Sequence, residues 1–73
     1  MDEKLEFSQR LREAMTRAGY AARAAVLERE FNTRYWGGPV TLQAVSRWLK
    51  GQAIPAQDKL QTLAEWLKVE PQV

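Results

Sequence analysis

The sequence predicts a small all-α domain of four helices, on three observations. Apolar residues recur at helical spacing in four successive segments. No segment alternates apolar and polar residues with period two, so no sheet is expected. Gly19, Gly37-Gly38-Pro39, Gly51 and Pro71 fall between or after those segments as breaks. At 73 residues the chain has room for one domain, residues 1–73, and one small core. Hydrophobic residues make up 45%, too many for a disordered segment.

The first helix is expected over about Lys4–Ala18, with Phe7, Leu11, Ala14, Met15 and Ala18 forming one apolar stripe. Gly19, tolerant of positive φ, ends it. The second is expected over about Ala21–Arg34, where Tyr20, Ala24, Leu27, Phe31 and Tyr35 share a face. Ala21, Ala22, Ala24 and Ala25 favour the helix, and Glu30 and Arg34 can pair one turn apart. The third runs to Lys50 from an N-cap at Thr41, with Val40 before it and Gly51 after it. The fourth is expected over about Ala56–Val69 on the stripe Leu60, Leu63, Ala64 and Leu67.

Composition excludes much chemistry. The chain has no Cys, hence no disulfide, thiolate metal site or thiol nucleophile, and no His, hence neither the commonest general base nor the commonest metal ligand. No Gly-rich phosphate loop or acid/base constellation stands out, so an enzyme, a metal, a cofactor and a small-molecule substrate are not expected. Apolar runs are far too short for a membrane span. The start Met1-Asp2-Glu3-Lys4 is acidic, with no apolar core after it, and does not fit a signal peptide. A reducing, cytoplasmic compartment is expected, although absence of Cys also suits an exported protein.

The formal net charge is only +2, but its distribution is uneven. Residues 1–30 balance Lys4, Arg10, Arg12, Arg17, Arg23 and Arg29 against Asp2, Glu3, Glu6, Glu13, Glu28 and Glu30. Residues 31–57 carry Arg34, Arg47 and Lys50 and no acid. Such a stretch points to a surface that meets negative charge. Within it, the third helix divides cleanly. Val45, Trp48 and Leu49 share one face, with Leu42 at its edge, while Gln43, Ser46, Arg47 and Lys50 share the opposite face.

That division suits the major groove of double-stranded DNA, which admits one α-helix. Gln43 matches the adenine edge, Arg47 matches guanine or a phosphate, and Ala44 suits a thymine methyl group. Ser46 and Lys50 suit phosphate or flanking contacts, and Thr41 with the free N–H groups of the first turn forms a phosphate seat. An ordinary solvated face with a dipole-matched Lys50 is the plain alternative. Trp48 is assigned to the core. Tyr35 and Trp36 either pack on the core or stack on a partner, and packing is favoured; in the second case Arg34 and the Gly37-Gly38 backbone lie near a phosphate. Trp66 lies off the Leu stripe, on a face with Lys59, Thr62 and Val69. With Val69 and Val73 it forms either a homodimer seam or a site that the tail covers.

The run from Val40 through Thr41, Ser46-Arg47-Trp48 and Gly51, followed by Pro55 and Leu63-Ala64, resembles the lambda-repressor-like helix-turn-helix domains of phage repressors, Cro proteins and Xre-type bacterial regulators. Phe7, Leu11 and Ala18-Gly19-Tyr20 also suit that family's first helix, so the resemblance covers nearly the whole chain. It implies a compact four-helix DNA-binding domain of a transcriptional regulator, with the third helix reading DNA and Arg23 at the second helix contacting the backbone. Several features depart from the family. The second helix and the segment Tyr35–Pro39 are longer than its tight turn, Glu28 stands where a small residue is usual, and Leu42 stands where many members place a polar contact residue. These departures, together with Trp66 and the low net charge, fit an alternative: a helix-turn-helix-derived protein-interaction module that does not bind DNA.

Overall fold

The structure, a computed structural model, describes residues 2–68. Those residues form four helices and no strand: α1 (Glu3–Arg17), α2 (Ala24–Arg34), α3 (Leu42–Lys50) and α4 (Gln57–Leu67). Asp2 starts α1 by accepting a 2.9 Å hydrogen bond from the Lys4 N–H. At its end the Gly19 N–H donates to Thr16 O and the Tyr20 N–H to Met15 O, with Gly19 at φ 92°. This pair of bonds is the Schellman arrangement, which satisfies carbonyls a helix end would leave open.

The same device closes α3. Gly51 lies at φ 75°, and the Gln52 N–H donates to Arg47 O at 2.9 Å. Gly51 is required twice over, because a Cβ there would lie 2.6 Å from Leu5 Cδ2 and 3.1 Å from Leu5 Cα. The other end of α3 is capped as its sequence implies: Thr41 Oγ1 accepts from the Ala44 N–H at 3.1 Å.

The core is built by all four helices: Leu11, Ala14 and Met15 from α1, Leu27 and Phe31 from α2, Val45, Trp48 and Leu49 from α3, and Leu63 and Leu67 from α4. Phe31 meets the edge of Trp48 at 5.5 Å between centroids, a favoured aromatic arrangement. α3 packs on both α1 and α2, and α4 packs on α2. With its apolar face taken by two helices, α3 leaves its polar face to solvent.

Two helix bounds differ from expectation. α2 starts at Ala24, not Ala21. After the Gly19 turn, Tyr20 is held against Trp66, the Arg23 N–H donates to Ala21 O, and Arg23 is extended at φ −127°. Tertiary placement of Tyr20 overrides the alanine propensity of Ala21 and Ala22. α4 stops at Leu67, where Lys68 takes a left-handed φ of 61°. Val69 and Val73 lie outside the described residues.

Three side chains also differ. Leu42, expected at the edge of the packed face, is 46% exposed, because α1 and α2 cover α3 only along Val45, Trp48 and Leu49. Trp36, for which packing was favoured, is 84% exposed. Trp66, for which an exposed homodimer seam and a site covered by the tail were both open, is partly buried. Tyr20 meets its ring edge-on at 5.2 Å, and the Arg34 guanidinium lies 4.8 Å over it. The apolar surface of α4 is therefore wider than its Leu stripe, since α2 packs along the flank that carries the buried Thr62 and Trp66.

Candidate nucleic-acid interface

α3 is nine residues long, roughly 13 Å at 1.5 Å per residue, a length that fits within a major groove. Gln43, Arg47 and Lys50 are exposed, and Ala44 and Ser46 are half-buried beside them. Gln43 and Arg47 stand one turn apart, as do Ser46 and Lys50, so α3 brings these residues to one surface. Val45, Trp48 and Leu49, at most 4% exposed, anchor the other side.

Neither Arg47 nor Lys50 enters an ion pair among the described residues. Three other cations are matched within helices: Arg10 with Glu6 at 3.9 Å, Arg29 with Glu30 at 3.2 Å and Arg34 with Glu30 at 2.8 Å; like Arg47 and Lys50, the remaining basic residues enter no ion pair among the described residues. The Glu30–Arg34 pair is the one expected from spacing. Its hydrogen bond holds the Glu30 carboxyl below its usual pKa and raises that of Arg34. At the start of α3, exposed Thr41 engages one first-turn N–H, and the Leu42 and Gln43 N–H groups meet no acceptor among the described residues. That end of the helix carries partial positive charge.

Arg23 is not brought to this surface by any bond among the described residues. It is the exposed N-cap of α2 and caps with its backbone alone. Trp66 sits on α4 beneath Tyr20 and Arg34, and its Nε1 is buried without a hydrogen-bond partner among the described residues.

Two supports of α3 escape a reading of periodicity. The Arg12 Nε–H reaches across from α1 and donates to Leu49 O at 2.9 Å, placing a cation at the negative end of the α3 dipole. The Asn32 amide grips the backbone before α3 from both sides: its Nδ2 donates to Val40 O at 3.1 Å, and its Oδ1 accepts from the Val40 N–H at 2.9 Å. The available signal was an Asn inside a helix, a residue type whose side chain favours backbone bonding over helix formation.

Tyr35 completes the N-terminal support. Its ring stacks on Phe31 at 5.0 Å, and its hydroxyl donates to Asp58 Oδ2 at the start of α4. The bond raises the Tyr35 pKa and lowers that of Asp58, with nearby Lys59 adding to the second effect. Among the described residues no cluster of acidic side chains is arranged to hold a metal ion. No helix among them is long and apolar enough to cross a membrane.

Comparison of the chain with family models, curated proteins and solved structures gives no match. The functional reading therefore rests on the geometry of α3 and its surroundings.

Proposed function

We propose that this chain is a sequence-specific DNA-binding domain of a transcriptional regulator, of lambda-repressor-like helix-turn-helix architecture, with α3 lying in the major groove. The observation that carries this reading is the surface of α3. It is exposed, acid-free and cationic, it has open N–H groups at its start, and its opposite face is locked into the core. Gln43 and Arg47 contact base edges, with Ala44 against a thymine methyl group. Thr41, Ser46 and Lys50 contact phosphates, and Arg23 meets the backbone from α2.

A second reading, a protein-interaction module without DNA binding, is favoured by exposed Trp36 and Leu42. Selection of binding sites from a random duplex library at two salt concentrations separates the two. DNA recognition gives a short enriched motif and retention that falls steeply with salt, because neutralised phosphates release counterions. Paired half-sites about one helical turn apart would report a homodimer. No enrichment and no salt-sensitive retention would overturn the DNA reading and leave the interaction module.

A further inference from the structure

The connection from α2 to α3 is fixed at both ends and open in the middle. Tyr35 is stacked on Phe31 and hydrogen-bonded to Asp58, and Val40 is gripped by Asn32. Between them the backbone passes the hydroxyl end of the Tyr35 ring so closely that a Cβ on Gly37 would lie 2.6 Å from Tyr35 Cε2. The neighbouring Trp36 points outward. Its indole leans on Tyr35 at 5.7 Å between centroids, tilted by 42°, and remains 84% exposed. A large apolar ring held out on a braced segment has the form of an interface anchor.

Charge selects the partner. In sequence, Trp36 lies within the acid-free stretch 31–57, together with Arg47 and Lys50, which enter no ion pair among the described residues. The acids at its two borders are offset by cations: Glu30 is paired with Arg34, and beside the Asp58 carboxylate Lys59 places its ammonium 5.3 Å over the Tyr35 ring. A polyanion benefits from such surroundings, whereas an apolar protein patch has no need of them.

We propose that Trp36 makes a second contact to the duplex that α3 reads, packing its indole on deoxyribose rings of the backbone flanking the half-site. This rests on the reading of α3 as a DNA-binding helix. The contact is apolar and releases no counterions, so its signature differs from that of Arg47.

The test measures binding of the native chain and its Trp36→Ala, Trp36→Phe and Arg47→Ala variants to the duplex recovered by selection, over a range of salt. Acrylamide quenching of tryptophan fluorescence is followed with and without that duplex. Trp36→Ala is expected to weaken binding about tenfold at every salt concentration with an unchanged salt slope, and Trp36→Phe less. Arg47→Ala is expected to change sequence preference or, as a phosphate contact, to reduce the slope by about one. The duplex should shield the most quenchable fluorescence of the native chain, a component that Trp36→Ala lacks. Because the indole is so exposed, helical circular dichroism should survive either Trp36 substitution.

Native affinity in both Trp36 variants, with Arg47→Ala weakened, would overturn this inference and leave the reading of α3 standing. No binding of any duplex by the native chain would overturn both. Shielding of Trp36 that grows with protein concentration, needs no duplex and is lost in Trp36→Ala would also overturn it, assigning the indole to a second copy of the chain.

Discussion

The two connections that flank α3 hold it by different chemistry. After α3 the constraint is mostly backbone: left-handed Gly51, a Gln52 N–H closing on Arg47 O, and Leu5 packed where a Cβ would stand. Before α3 it is side chains: the Asn32 amide on Val40, and Tyr35 between Phe31 and Asp58. A backbone closure admits one short path. A side-chain brace allows a longer path, and here that path carries an exposed tryptophan. The longer connection thus presents Trp36 to solvent while Asn32 still holds the entry to α3.

That contrast breaks most visibly at Gly51. Gly51→Val forces a β-branched residue into φ 75° and drives its Cβ into Leu5. A loss of roughly 2–4 kcal/mol is expected from left-handed strain plus overpacking, measured by urea unfolding. A loss under about 1 kcal/mol would mean that the closure adjusts more freely than close packing allows.

Asn32→Ala tests the other end. It leaves the half-buried Val40 N–H and C=O without their partner, and a loss of about 1–3 kcal/mol is expected. Hydrogen exchange at the Val40 amide should quicken more than at Leu49, which a uniform loosening of the fold would not produce.

Tyr35→Phe should have the smallest effect, and its size depends on pH. The folded pKa of Asp58 is lowered, so its bond to Tyr35 stabilises above the ordinary carboxylate value and is lost as pH falls through the lowered one. The folded pKa of Tyr35 is raised, so the same bond is present below the ordinary tyrosine value and lost as pH rises through the raised one. The stability gap between native and Tyr35→Phe chains should be widest between those limits and close at both. A gap independent of pH would show that ring packing on Phe31 outweighs the hydroxyl. In the variant, NMR titration should find the Asp58 pKa moved up towards its ordinary value.

The same contrast explains what the sequence disclosed. Thr41, Gly51 and the buried trio Val45, Trp48 and Leu49 act within one or two helical turns, so spacing and residue type reveal them. The division of α3 into a packed and an open face is likewise local. The fates of Trp36 and Trp66 were hidden because helical periodicity says which face a residue shares, not what stands opposite. Trp66 is covered by Tyr20 and Arg34, both remote in sequence, whereas Trp36 leans on Tyr35 and meets nothing that buries it among the described residues. The late start of α2 has the same origin, since Tyr20 is committed to Trp66 before Ala21 and Ala22 can extend the helix.

The central claim is that the open face of α3 reads base sequence, and base preference of its variants tests it most directly. Arg47→Ala and Gln43→Ala would each be compared with the native chain on the selected duplex and on single-base changes of it. A loss of about 1–3 kcal/mol per variant is expected, with preference relaxed at one position each and thermal stability unchanged, since both side chains are exposed. Native affinity and native preference in both variants would contradict the account, because the face assigned to reading DNA would then contribute nothing to it.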